Sequence, residues 1–252
     1  QEVQTRSEAE DIPLDIVYED DDLLVLNKPT DLVVHPAAGN WSGTLVNGLL
    51  HYNPKLEYLP RAGIVHRLDK DTTGLMIVAK TLEAHSALVE LLQERDVSRE
   101  YLALVQRPVI SGGTIEANIG RHHIDRLKMA VIEGGKEAIT HYRIEERFRH
   151  HTLLRVALET GRTHQIRVHL TANNMPIVGD QLYGGRPRVP AGISGELREA
   201  LQTFPRQALH ATRLGLTHPM TAEPMEWEVP VPEDMARLLD LLRAEDADER
   251  LA

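Results

Sequence analysis

Residues 63–80 read GIVHRLDKDTTGLMIVAK, two apolar runs of strand length held apart by a charged loop. The loop carries two aspartates, Asp69 and Asp71, with Arg67 before the first and the Thr72-Thr73-Gly74 turn after the second. The pattern predicts strand, loop and strand, with Asp69 anchored by rigid elements on both sides. An aspartate between strands is ordinarily a turn residue that hydrogen-bonds its own backbone. Arg67 and further bases downstream favour a second reading, in which opposite charge keeps Asp69 ionised for chemistry.

Outward from this stretch, LDIVYEDDDLLVLNKP predicts two strands around an acidic turn, the second ended by Pro29. GTLVNGLLHYNP predicts a short helix that stops before Pro54. Thr81 is placed to cap a helix through about Glu94, with Leu88, Leu91 and Leu92 as its apolar stripe. REYLALVQ reads as a strand, and EAITHYRIEERF with HHTLLRVALET as an antiparallel pair. THQIRVHLTANN opens as a helix after a Gly-Arg-Thr turn. A loop-rich segment, a helix near 195–203, the strand RQALHATRLGL and the amphipathic helix PEDMARLLDLLRAE follow. Strands outnumber helices without regular alternation, so the expected class is α+β, a mixed but mostly antiparallel sheet flanked by helices. No linker is long enough to force a domain split. Residues 1–13 read as an acidic tail or linker and 14–252 as one domain.

The chain has 252 residues, no cysteine and a net charge of −10. No disulfide, thiolate metal site or cysteine nucleophile is available, which suits the cytoplasm. No apolar run approaches membrane-spanning length. The acidity belongs to the ends: residues 1–24 hold nine acids and one base, and 233–252 hold seven acids and three bases. Removing both from totals of 38 and 28 leaves 22 acids and 24 bases in the middle, where an Arg- and His-rich stretch from 141 to 170 offers phosphates a landing site.

Most chemical constellations fail. Neither a dinucleotide fingerprint nor a P-loop is present, so no nucleotide cofactor is expected. Thirteen histidines invite a metal, yet no HExxH occurs, and His164 and His169 lie five apart, off a common helical face. No metal is expected, and the histidines are expected at the surface or facing phosphates. No Gly-x-Ser-x-Gly elbow marks an acyl-transfer triad. A glycosidase pair of Asp69 and Asp71 is an alternative, disfavoured because aromatic residues make up only 4% of the chain and sugar clefts are usually lined with them. A non-catalytic RNA-binding module is the other alternative.

GIVHRLDKDTTGLMIVAK, SREYLALV and ETGRTHQIRVHL, followed by PIVGDQLYGG and QALHA, resemble in order the motifs of the RluA family of pseudouridine synthases. The resemblance runs from about residue 14 to about residue 240. It implies the pseudouridine synthase catalytic fold and isomerisation of uridine to pseudouridine with no cofactor. The glycosidic bond to nitrogen breaks, the base turns, and it rejoins the ribose through carbon. The family's positions fall on Asp69 as catalytic carboxylate, Tyr101 as the aromatic against uracil, and Arg167 as the aspartate's basic partner. Arg67 corresponds to the residue that fills the gap left by a flipped base. Arg162 and His66 are further substrate-binding candidates. VVHPAAGN, YGGRPR and Thr73 point to the branch that modifies uridines in a stem-loop of large-subunit ribosomal RNA; other branches act on other ribosomal sites or on transfer RNA. That branch usually carries an S4 RNA-binding domain, expected here upstream in the same polypeptide because residue 1 is Gln. A cytoplasmic monomer with no membrane partner is expected.

Overall fold

A computed structural model describes residues 7–37 and 39–249. In chain order the elements are β1 (Ile16–Glu19), β2 (Leu23–Lys28), α1 (Leu45–Tyr52), β3 (Thr73–Ala79), α2 (Leu82–Gln93), β4 (Ser98–Val105), β5 (Gly113–Glu116) and β6 (Ile119–Arg121). Then come β7 (Met129–Val131), β8 (Ile139–Arg147), β9 (Thr152–Leu158), α3 (Gln165–Ala172), α4 (Gly195–Thr203), β10 (Leu209–Thr217), β11 (Pro224–Glu228) and α5 (Glu233–Glu249). The class is α+β with mostly antiparallel pairing, as expected. The chain forms two compact units, residues up to Val97 with Arg213–Val229, and Ser98–Thr212 with Pro230 onward. No linker divides them, and one of the passages between them falls inside β10.

In the first unit β1, β2 and β3 pair antiparallel, with Val25 opposite Ile77. All seven residues of β3 are buried, which explains a continuous apolar run instead of alternation. Leu23, Val25, Leu75, Ile77 and Ala79 pack with Ala84 and Leu88 of α2. Each such large side chain contributes roughly 1.5–3 kcal/mol by leaving water. The Thr81 side chain accepts from the Ala84 N–H at 3.2 Å, the cap expected from sequence. Leu91 and Leu92 pack against the same core, half-buried. Residues 8–12, inside the stretch expected as a tail, are held against α1: Asn47 donates to the Glu8 carbonyl at 2.8 Å and accepts from the Glu10 N–H at 3.0 Å.

In the second unit β4, β9, β8 and β5 form an antiparallel ribbon, and β6 pairs with β7 as a separate hairpin. α3 packs beside β7 and β8, Val168 joining Ile119 and Ala138 in a small core. Met235, Leu238, Leu239 and Leu242 form the buried stripe of α5, the spacing that its sequence announces.

Three expectations need correction. GIVHRL is not a strand: Arg61 and Ala62 are left-handed (φ 51° and 53°), and beyond them only Ile64 makes an isolated bridge, to Val78. β5, β6, β7 and β11 were not read from the sequence; they are three to five residues long and largely exposed. His151, His169, His210 and His218 are buried instead of facing solvent or phosphate.

Candidate active site

The loop carrying Asp69 belongs to the first unit, and its course is dictated at Gly63. There φ is +85°, and a Cβ would lie 2.0 Å from the Ala79 carbonyl oxygen, so only glycine fits. The chain then runs along β3. His66 Nε2 accepts from the Ile77 N–H at 2.9 Å, which leaves that nitrogen bare and makes His66 a backbone tether. At the far end, Asp71 accepts from the Thr30 hydroxyl at 3.2 Å and the Asp31 N–H at 3.1 Å. Asp71 thus ties the loop to residues 30–31. Between them the Asp69 carbonyl accepts from the Thr72 N–H at 3.1 Å, closing the turn through the backbone. Asp69 itself is half-buried.

A residue that the sequence did not mark completes the anchoring. Lys28, 1% exposed at the end of β2, donates from Nζ to the carbonyls of Pro29 (2.8 Å), Leu32 (2.9 Å) and Lys70 (2.8 Å). An ammonium has three donors, and three carbonyls from two loops converge on it. Lys28→Met keeps the packing but strands these acceptors. The expected loss is about 3 kcal/mol of unfolding free energy in urea titration.

Arg67 is exposed on this loop. Burial, with the positive charges of Arg61 and Arg67, pushes His35 down to about 4, so its imidazole is neutral at pH 7. Asp20, Asp22 and His218 are the one cluster of metal-ligand type among the described residues. Its geometry is that of a hydrogen-bonded turn. His218 Nδ1 accepts the Met220 and Thr221 N–H groups at 3.1 Å, so Nε2 carries the proton and donates to Asp20 at 2.9 Å. Burial raises the Asp20 carboxyl, but donors from Tyr18, Leu23, Asp22 and His218 outweigh it and hold it at about 2.

The second unit positions Tyr101, Arg162 and Arg167. Tyr101 is buried on β4 opposite Val156. α3 starts at His164, whose left-handed backbone (φ 57°) turns the chain sharply into the helix. Gln165 fixes that turn: its carbonyl accepts from the Thr160 hydroxyl (2.8 Å) and the Arg162 N–H (3.0 Å), while its amide donates to Ile139 O (3.0 Å) and Thr140 Oγ1 (2.9 Å). The Thr140 hydroxyl then gives its proton to His169 Nδ1 at 2.8 Å, and His169 Nε2 donates to Ala117 O at 2.8 Å. Arg162 donates from Nε to Glu137 O at 2.8 Å and so sustains the turn.

Arg167 is 7% exposed and forks onto Asp180, Nε to Oδ2 at 2.8 Å and Nη2 to Oδ1 at 3.0 Å. Asp180 Oδ1 also accepts the Leu182 and Tyr183 N–H groups at 3.1 Å. The guanidinium sits over the Tyr183 ring, 5.0 Å from its centroid. The Tyr183 hydroxyl accepts from the Met129 N–H (2.8 Å) and meets His164 Nδ1 at 2.6 Å. Asp180, Tyr183 and Gln165 were not singled out from the sequence, although PIVGDQLYGG and ETGRTHQIRVHL contain them. Asp69, Arg67 and His66 thus share one loop of the first unit, while Tyr101, Arg162 and Arg167 belong to the second.

This chain is a member of a family of RNA-modifying isomerases: the model described as RNA pseudouridylate synthase matches residues 22–172, so the chain belongs to that family. Among curated relatives, ribosomal large subunit pseudouridine synthase D of Salmonella typhimurium is 59% identical over 247 residues, covering 98% of this chain and 76% of that protein. The protein of the same name from Pseudomonas aeruginosa is 60% identical over 243 residues, covering 96% of this chain and 76% of its own length. Among solved structures, human RNA pseudouridylate synthase domain containing 4 superposes with a TM-score of 0.69 at 26% identity, over 91% of this chain and 93% of that one. No helix among the described residues is long and apolar enough to cross a membrane.

Proposed function

We propose that this protein converts specific uridines of large-subunit ribosomal RNA to pseudouridine, with residues 14–252 acting as one catalytic domain. Identity of 59–60% to relatives named for that reaction, over nearly the whole chain, is the observation that carries the reading. Asp69 is the catalytic carboxylate, acting on the anomeric carbon or on the neighbouring 2′ proton. The triple anchoring of its loop by His66, Lys28 and Asp71 supports that role, since a reacting group needs a fixed position. Tyr101 lies against the uracil, Arg167 is the basic residue of the reaction, and Arg67 fills the space of the extruded base. Arg162 and His66 act on the substrate through the turn and the loop that they hold. The protein works as a monomer in the cytoplasm, where its RNA is made.

The reaction needs no redox change and no energy input, only a positioned charge and an unstacked nucleotide, whose extrusion costs a few kcal/mol. Incubating the protein with unmodified large-subunit ribosomal RNA, then mapping pseudouridines by reverse-transcription stops after carbodiimide treatment, tests this. New stops confined to a stem-loop are expected. A transcript without new stops overturns the assignment.

A further inference from the structure

Arg99 is only 9% exposed on β4, and its Nε is buried with no hydrogen-bond partner. Among the described residues no carboxylate pairs with it. The other buried guanidiniums of this unit are matched, Arg167 by Asp180 and Arg206 by Asp234. A buried guanidinium N–H without an acceptor is costly, and it is kept where something outside the fold completes the group.

The surroundings say what that is. Arg99 and Tyr101 are two residues apart on one strand, so their side chains leave the same face roughly 7 Å apart. Arg99 Nη1 lies 2.8 Å from where a Cβ on Gly161 would sit, and Gly161 opens the Gly-Arg-Thr turn that leads into α3 and Arg167. Glycine at 161 thus makes room for the guanidinium at the turn that precedes α3. A full charge calls for an anion, and the planar fork of arginine matches phosphate oxygens. The strand spacing is comparable to the reach from a base to the phosphate of its own nucleotide.

We propose that Arg99 is a substrate-binding residue that takes a backbone phosphate next to the target uridine. The inference rests on RNA being the substrate. It makes Arg99 a positioning group, held ready at the expense of stability in the free protein.

The test uses three variants: Arg99→Met, Arg99→Lys and Gly161→Ala. The last keeps the charge but displaces the flexible end of the side chain. Binding of unmodified large-subunit ribosomal RNA is measured across salt concentrations, alongside urea unfolding of the free protein. For Arg99→Met, RNA affinity is expected to fall about tenfold and the slope of log affinity against log salt to shrink by about 0.7, the value for one single-strand phosphate contact. Its urea midpoint is expected to stay or rise, because a buried donor without an acceptor has been removed. Arg99→Lys keeps most of the salt slope, and Gly161→Ala weakens binding while the protein stays folded. An unchanged affinity and slope in Arg99→Met, or a lowered urea midpoint, overturns the proposal. Wild-type protein that binds RNA but makes no pseudouridine contradicts the enzymatic reading, while the salt slope of Arg99→Met still decides whether Arg99 takes a phosphate.

Discussion

Asp69→Asn is expected to lower the rate of pseudouridine formation at least about 1,000-fold, equivalent to roughly 4 kcal/mol of barrier. The substitution preserves size and planarity and removes one negative charge. Either course of the reaction needs that charge: an amide neither attacks the anomeric carbon nor accepts the 2′ proton. The fold should survive, because the anchors of the loop run through His66, the Lys70 carbonyl and the Asp71 carboxylate. Single-turnover assays with unmodified ribosomal RNA, paired with binding and circular dichroism, check this. RNA affinity should stay within about threefold of wild type. A folded variant that works at the wild-type rate removes Asp69 from the chemistry.

Asp180→Ala should be the most destabilising single change in the second unit. The carboxylate is buried, takes both arms of Arg167 and receives two backbone N–H groups besides. Without it a buried guanidinium loses the carboxylate that it forks onto, at about 3–5 kcal/mol. That is a large share of the 5–15 kcal/mol that usually holds a domain together. Urea titration gives the number, and a double-mutant cycle with Arg167→Met isolates the pair. The double variant should be less destabilised than the sum of the singles, since neither leaves the other's charge exposed to an apolar interior. Losses under 1 kcal/mol for each single change would place the pair in the class of surface ion pairs.

Much of this architecture was readable from short stretches. β3 and β4 announce themselves by apolar runs, and α2 and α5 by a cap or acidic start followed by leucines at helical spacing. These signals are local, and local signals survive in a linear string. GIVHRL misled because its apolar letters satisfy a strand's composition while Arg61, Ala62 and Gly63 turn left-handed. Its pairing with β3 is then replaced by one bridge and an imidazole. β5 and β11 lack any apolar run, and partner strands impose their conformation.

The site divides the same way. Asp69, Tyr101 and Arg167 sit in motifs, so resemblance pointed to them. Lys28 and Asp180 are defined by what they reach: a carbonyl 42 residues away for Lys28, a guanidinium 13 residues away for Asp180. Such pairings are visible only once the chain is folded. The histidines show the reverse error, since hydrogen bonds from Thr140 and to Ala117 make His169 a buried strut where composition suggested a phosphate contact.

The reaction proposed for Asp69 replaces the hydrogen on carbon 5 of uracil with the ribose. Unmodified large-subunit ribosomal RNA carrying tritium at that carbon therefore reports each turnover as tritium in water. The account predicts stoichiometric release by the wild-type protein at its target uridines and none by Asp69→Asn. Equal release by the two proteins, or none by either with RNA bound, contradicts it.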